Sequence, residues 1–300
     1  MSFDSRGDSV ESYFLVDSMR EEDKLEWLNR VKDSLLDESQ ARTEAQRKYL
    51  KAYMGLDSTD EMIRSDYRDI DSHRRRRINK FRIPHLHDIV ETKVSQMTRL
   101  KPDVEVLPTN DEFTDRGAAK VAKAVIGQIF EQQQLDHKLI EMHRHKGILG
   151  ESYMFIDFNP NVGDLHPDYV AAKEAGIEYP KDLPKRLGDV EYTVELPWRV
   201  LLQRKEKMQD VEYYLRYKIM PKDEILAKYK KAGQVMEGID DSGEMVFDIS
   251  SMEETFLEDH VAVWEFCHKR TEQLPDGKRI VFLGSVILEE TDAPYSMDMF

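Results

Sequence analysis

The first long pattern of hydrophobic and polar positions lies between Glu21 and Met54, and it predicts a helix that ends near Gly55. Apolar residues recur at helical spacing in two stripes: Leu25, Leu28, Val31 and Leu35, then Tyr49, Leu50, Tyr53 and Met54. The stretch 37–44 between the stripes is polar, so the pattern fits either two helices or one helix that crosses open solvent.

A second helix is predicted between Pro84 and Leu100. Proline is favoured in a first helical turn, and Lys101 must leave the helical conformation because it precedes Pro102. One face of this helix is apolar: Leu86, Ile89, Val90, Val94, Met97 and Leu100. The members of this stripe that we expect to be buried are Leu86, Val90, Val94 and Met97.

Beyond this helix the pattern changes twice. Alternating acidic and apolar residues over 103–108 predict a short strand. A helix capped by Thr114 or Asp115 then extends to about Gln134, and its apolar period continues to about Lys146.

Strands are predicted to dominate after residue 150. Alternation and aromatic or β-branched residues indicate strands at Ser152–Phe158, Val190–Leu196, Val211–Met220, Val261–His268 and Arg279–Glu289. The pair Asp276-Gly277 is typical of a hairpin turn. A short helix is expected over Pro221–Tyr229, and 159–188 and 232–254 are expected to be loop-like insertions.

Helices followed by strands predict an α+β fold. We expect an N-terminal helical arm at 1–80, a long-helix region at 81–150 and a β-rich domain at 151–300. The 40% of hydrophobic residues suffices for a core, and the 34% of charged residues indicates a wide solvated surface.

The charge balance limits the partners. The net charge is −15, whereas a protein that grips the DNA backbone needs a basic face. Acidity suits a passage that DNA crosses without sticking, because acidic walls repel phosphates, and it is equally compatible with simple solubility.

The single cysteine, Cys267, excludes an internal disulfide framework and fits a reducing cytoplasm. We expect it to be a small buried apolar side chain, with a reactive thiol as the alternative. The N-terminus has no signal-peptide pattern, and no apolar run approaches the roughly 20 residues that span a bilayer. We therefore expect a soluble intracellular protein.

No motif predicts chemistry. The sequence has no P-loop and no G-x-S-x-G elbow. His137, Glu141 and His145 could share a helix face, but no further ligand accompanies them, so a solvated face is favoured over a metal site. We assign no catalytic, cofactor-binding or metal-binding residue, and no cofactor.

Two patterns could contact nucleic acid. The basic run Arg74–Arg77, with Lys80 and Arg82, could bind phosphate, although a solvated edge or a pairing with acids of a neighbouring subunit is favoured. Six aromatic residues lie in or beside predicted strands: Trp198, Tyr213, Tyr214, Tyr217, Trp264 and Phe266. Their neighbours Glu212 and Glu265 favour core packing over base stacking, because stacking platforms stand beside basic residues.

Several motifs follow one another along the chain in a particular order. They are the Ile83-Pro84 helix that stops at Lys101-Pro102, the long helix through 118–126, the passage from Gly147-Ile148-Leu149-Gly150 into Tyr153–Phe158, the segment Leu196-Pro197-Trp198-Arg199-Val200, the strand and helix at Tyr213–Tyr229, and the run Val281–Leu288 leading to Ala293-Pro294-Tyr295. From about Trp27 onward, this order resembles the N-terminal part of bacteriophage portal proteins, the head-to-tail connectors, and most closely those of short-tailed phages.

The resemblance implies a structural protein, most of it in a portal's outward-facing wing. It implies a dodecameric ring at a capsid vertex of the virion, assembled in the host cytoplasm, through which DNA is packaged, retained and ejected. The implied partners are further copies of the chain, terminase, tail adaptor proteins, the capsid protein and double-stranded DNA that passes without tight binding. It implies no enzyme activity and no membrane.

The portals that the chain resembles continue into a stem, a clip and a crown, so we expect these parts to be missing after Phe300. We also expect the arm Glu21–Met54 and the run Arg74–Arg77 to contact a neighbouring subunit. Two alternatives stay open: another phage capsid or tail structural protein, and a metal-dependent nuclease or other phage enzyme.

Overall fold

The computed structural model describes residues 20–55, 85–99, 104–110, 112–159, 162–177, 179–180, 183–229, 231, 233, 244–248, 253–272, 274–284 and 286–293. The chain forms two compact units, unit 1 from Met1–Ala45 and Pro197–Phe300, and unit 2 from Gln46–Leu196. Unit 1 thus joins segments from both ends of the chain. The expected division of the chain was different, into three consecutive stretches. The expected α+β class is confirmed.

Six α-helices lie in the described segments: α1 Glu21–Tyr53, α2 His85–Met97, α3 Phe113–Gln132, α4 Leu135–Leu149, α5 Pro167–Glu174 and α6 Lys222–Lys228. The predicted arm is one continuous helix, about 50 Å long at 1.5 Å per residue. The helix that was expected to continue to Lys146 is interrupted at Gln134, whose φ of 50° is left-handed and ends the regular hydrogen bonding.

The strands of the described segments are β1 Tyr153–Asn159, β2 Asp189–Glu195, β3 Val200–Leu202, β4 Tyr213–Pro221, β5 Glu244–Asp248, β6 Glu253–Leu257, β7 His260–His268, β8 Lys278–Leu283 and β9 Val286–Thr291. A five-stranded antiparallel sheet has the order β3-β4-β7-β8-β9. Strands β1 and β2 form a separate two-stranded ribbon, and β5 and β6 form another antiparallel pair.

Three local predictions are wrong. Residues 104–108 form no strand, since alternation yields a strand only where a partner edge is present, and none of the described residues pairs with them. The insertions expected to be loops hold α5 and the β5–β6 pair. The strand expected over Arg279–Glu289 is split by Gly284, whose φ is 53°.

The predicted hairpin turn at Asp276-Gly277 precedes β8, which pairs with β7. Gly277 has a φ of 64°, and a Cβ there would lie 2.6 Å from the Cβ of Ala293 and 2.9 Å from the carbonyl oxygen of His268. Both the backbone conformation and the space therefore require glycine.

The main core of unit 1 lies between α1 and one face of the five-stranded sheet. Trp27, Leu28 and Leu35 of α1 are buried there. Their partners from the sheet are Leu201, Tyr213, Leu215, Phe266, Ile280, Phe282 and Ile287. The sequence suggested no partner for this stripe within the chain, but its own sheet covers it. Contact of the arm Glu21–Met54 with a neighbouring subunit stays a prediction.

The opposite face of the sheet carries a second core. Ile225 of α6 is fully buried there, and Tyr229 follows the helix. The other buried members are Met220, Val263, Val281, Leu283 and Leu288. Apolar and aromatic residues on alternating positions of one strand thus reach both cores, as the strand period requires.

In unit 2, helix α2 packs against α4. Its inner face consists of Val90, Glu91 and Val94, and among these Val94 is buried at 3% exposure. The burial expected for Leu86 and Met97 is wrong, since their exposed fractions are 51% and 55%. The helix turns Glu91 inward, and this moves both apolar residues to the outside.

We predict that Val94→Asp lowers the free energy of unfolding by about 3–5 kcal/mol, because it places a charge without a partner inside unit 2. The matched control is Met97→Asp on the same helix, which we expect to cost less than about 1 kcal/mol because Met97 is exposed. Urea unfolding followed by circular dichroism measures both. Equal losses in the two variants would contradict this orientation of α2.

Candidate assembly surfaces and buried ion pairs

A buried carboxylate joins three strands of the five-stranded sheet. Arg216 of β4 donates from Nε to Glu265 Oε2 at 2.7 Å, and Arg279 of β8 donates from Nε to Glu265 Oε1 at 2.7 Å. Arg279 also donates from Nη1 to Glu289 Oε2 of β9 at 3.3 Å. Charge-assisted bonds to one carboxylate make this a stabilising arrangement between strands.

Burial alone would raise the pKa of Glu265, but the neighbouring Arg216 and Arg279 lower it to about 2, so the carboxylate stays ionised at neutral pH. Cys267 Sγ lies 3.7 Å from Glu265 Oε1. Burial, followed by this charge, raises the pKa of Cys267 to about 12, so the thiol stays protonated. The expectation of a buried cysteine is confirmed.

A second shared carboxylate joins three helices through residues that all belong to unit 2, which includes the last turns of α1. Arg144 of α4 donates to both carboxylate oxygens of Glu91, at 2.7 and 3.1 Å, and Tyr53 of α1 donates to Glu91 Oε1 at 2.7 Å. The hydrogen bond from Arg144, followed by that from Tyr53, lowers the pKa of Glu91 to about 2. Burial, followed by Glu91, raises the pKa of Tyr53 to about 12. Both groups are therefore held in one protonation state at neutral pH and serve as links, not as acid or base.

The first candidate assembly surface is a stripe of α3 that we call the α3 face. It consists of Phe113, Gly117, Val121 and Val125, which recur every fourth residue and therefore share one side of the helix. Phe113 is 92% exposed and Val121 is 65% exposed, and none of the 20 residues of α3 is buried. Helices of this length gain most of their stability from packing, so this face is suited to a partner.

The second candidate surface is one side of the β1–β2 ribbon. The register pairs Met154 with Val194, Ile156 with Tyr192 and Phe158 with Val190, which places six apolar side chains on one side, here called the ribbon face. Ile156 and Phe158 are exposed. The ribbon therefore exposes part of its apolar side to solvent. The opposite side carries Asp157, Asp189, Glu191 and Glu195.

The sequence could indicate these surfaces only in part. The apolar period of α3 was recognised at Val121 and Val125, but periodicity does not tell a face packed within the chain from one left open. The ribbon face was missed because β1 and β2 were predicted as separate strands, and their pairing across about 30 residues has no local signal.

The structure places the other sequence candidates as follows. Trp198, Tyr213, Tyr214 and Phe266 are buried, and Tyr217 and Trp264 pack against each other with ring centres 4.8 Å apart. Core packing is therefore confirmed for the four buried aromatic residues and for Trp264, which packs against the main core. The basic candidates Arg74–Arg77, Lys80 and Arg82 lie outside the described residues.

His137, Glu141 and His145 lie on α4, and burial lowers the pKa of His145. Across the described part of the chain, no three His, Cys, Asp or Glu side chains are grouped so that they could hold a metal ion. None of the helices described here is both long and apolar enough to cross a membrane.

No protein-family model matches the chain, and no curated protein sequence matches it.

We predict that Glu265→Gln lowers the free energy of unfolding by about 3–5 kcal/mol at pH 7, because the buried Arg216 and the partly buried Arg279 lose their shared anion. The matched control is Glu289→Gln, because Glu289 pairs with the same Arg279 but is more exposed. We expect it to lower the free energy of unfolding by at most about 1 kcal/mol. Because the folded pKa of Glu265 is depressed, its contribution is present above about pH 4.5 and is lost as the pH falls towards 2. Unfolding at several pH values should show this loss in the wild type and a weaker one in Glu265→Gln.

Proposed function

We propose that the protein is a bacteriophage portal subunit, which forms a ring at a capsid vertex through which DNA is packaged, retained and ejected. The order of motifs from the Ile83-Pro84 helix to the run at Val281–Leu288 supports this proposal. The structural observation that carries it is the pair of apolar surfaces on unit 2, the α3 face and the ribbon face.

A closed ring requires two different surfaces on each subunit, because its contacts are heterologous. Exposed apolar surfaces of this kind mark interaction sites more often than they remain free. Unit 2 offers two of them, on a helix and on a ribbon. This count fits a ring subunit better than a protein that binds one partner at one surface.

The charge fits the same role. A net charge of −15 repels phosphate, which favours DNA movement through a ring over DNA retention by tight binding. In this proposal the protein does no chemistry. It assembles as a dodecamer at the head–tail junction of the virion, after synthesis in the host cytoplasm, and contacts terminase, tail adaptor proteins and the capsid protein.

The first test is the assembly of the protein expressed from its complete gene. We expect closed rings with a central hole in negative-stain images, and a mass close to twelve subunits by mass photometry for the proposed dodecamer. Sheets, tubes or open filaments would instead favour another capsid or tail structural protein. DNA cleavage that depends on a divalent metal would favour the nuclease alternative and contradict the proposal.

The second test is DNA binding. We predict that the chain binds duplex DNA more weakly than about 1 μM at physiological salt, because its net charge opposes phosphate. Fluorescence anisotropy with a labelled duplex measures this affinity, and the control replaces Arg74–Arg77 by glutamine. Tight binding that disappears in the control would make this run a phosphate contact and would contradict passage without tight binding.

A further inference from the structure

We propose that His268 makes the packing of α1 on the five-stranded sheet sensitive to mild acid. A proton on its imidazole ring places a charge inside the main core of unit 1, and the first half of α1 then separates from the sheet. This inference goes beyond the proposed portal function and does not depend on it.

The ring of His268 is buried at the end of β7, where the residue is only 1% exposed. Its Nδ1 lies 2.8 Å from the carbonyl oxygen of Lys269, so Nδ1 carries a proton and donates, because a carbonyl oxygen can only accept. The other nitrogen, Nε2, is also buried and has no hydrogen-bond partner among the described residues. An imidazolium would bring a second N–H into this site without an acceptor, so the site favours the neutral ring.

Aromatic rings connect His268 to α1. The register pairs His268 with Tyr213 of β4, and the two rings stack with their centres 6.1 Å apart. Phe266 lies two positions earlier on β7 and therefore on the same side of the sheet, with its ring centre 6.4 Å from that of His268. Trp27 of α1 packs against both Tyr213 and Phe266, at 6.4 and 5.5 Å between ring centres. A charge on His268 thus arises next to the rings that hold α1.

The nearest charges on the same side of the sheet oppose a proton on His268. Lys278 of β8 is its other register partner, so the two side chains lie side by side, about 5 Å apart at Cβ. The Lys278 ammonium shares the Glu290 carboxylate with Lys24 of α1, at 3.1 and 2.8 Å. Two cations already face this one anion, so a third cation beside them is unfavourable.

Two further charges act on the ring from the adjoining chain. Lys269 opposes protonation, whereas Glu212 favours it. The Glu212 carboxylate is partly exposed, accepts from Gln203 at 3.4 Å and lies 4.0 Å from Lys205, so its effect on His268 is shared with other groups. Burial has the largest effect, and it holds the pKa of His268 below the usual value of 6.5.

The lowered pKa determines the pH range of the effect. In the separated state His268 meets water and has its usual pKa of about 6.5, so this state takes up the proton first as the pH falls. The packing is fully stable above about pH 6.5 and is weakened below it, down to the pKa of the packed state. The carboxylates with lowered pKa values, Glu91, Glu265 and Glu290, lose their contribution only below about pH 4.5. The two effects therefore fall in different pH ranges.

Helix α1 is the element that can leave this contact. Its backbone hydrogen bonds lie within the helix and do not require the sheet. Strand β8 is instead hydrogen bonded to β7 on one side and to β9 on the other, so it keeps its partners when α1 separates.

The experiment is hydrogen exchange of the whole protein, followed by mass spectrometry between about pH 7.5 and 5 and corrected for the intrinsic exchange rate at each pH. We expect the protection of residues 24–35 to fall by up to about tenfold per pH unit below 6.5, the limit for one linked proton. Strand β8 should keep its protection. His268→Phe and His268→Asn cannot take up the proton, so the protection of α1 in these variants should not change with pH.

His145→Gln is the matched control, because burial also lowers the pKa of this second histidine, which lies on α4 in unit 2. It should leave the pH dependence of α1 unchanged. Three results would overturn the inference: protection of α1 that is constant in the wild type, the wild-type loss in either His268 variant, and disappearance of the loss in His145→Gln. An equal loss in β8 would also overturn it, because the whole unit would then unfold.

A second measurement keeps the inference testable if neither His268 variant folds. Nuclear magnetic resonance follows the titration of the Cε1–H of His268 in the wild type, and we expect a pKa below 6.5. A pKa at or above that value would mean that the packed state accepts the proton readily, and the inference would be wrong.

Discussion

The packing of α1 on the five-stranded sheet is the contact on which unit 1 depends. Leu28, Phe266 and Phe282 are fully buried in one core, and Lys24 donates from Nζ to Glu290 Oε1 at 2.8 Å. Residues separated by 266 positions along the chain thus form one core. Loop closure over such separations is costly, so neither the helix nor the sheet can complete this core before the other is present.

Two shared carboxylates decide which sides of the elements turn inward. Glu265 accepts from arginines on two neighbouring strands, and Glu91 accepts from Arg144 and Tyr53 on two other helices. For the buried Glu265 this pairing is essential, since an ion without a partner would be far too costly there, whereas Glu91 is only partly buried. The inward position of Glu91 is the reason that α2 exposes Leu86 and Met97.

Local chemistry explains what the sequence predicted well. The period of two along β4 and β7, the Asp276-Gly277 turn and the proline before α6 each depend on neighbouring residues, and these elements lie within a few residues of their predicted places. The orientation of α2, the intrachain partner of α1 and the pairing of β1 with β2 depend on side chains far away in the sequence. No periodicity encodes them, so only Val121 and Val125 of the α3 face were recognised from the sequence, and the portal resemblance stays a proposal.

The ribbon face has a further property that follows from Gly188. This glycine has a φ of 77°, and a Cβ there would overlap the ring of Phe158. The exposed ring of Phe158 therefore lies directly against the backbone of Gly188, the residue before β2, and this contact fixes the position of the ring. A side chain at position 188 would displace this ring. A substitution there would thus reshape the ribbon face, although residue 188 is not one of the six apolar residues that form it.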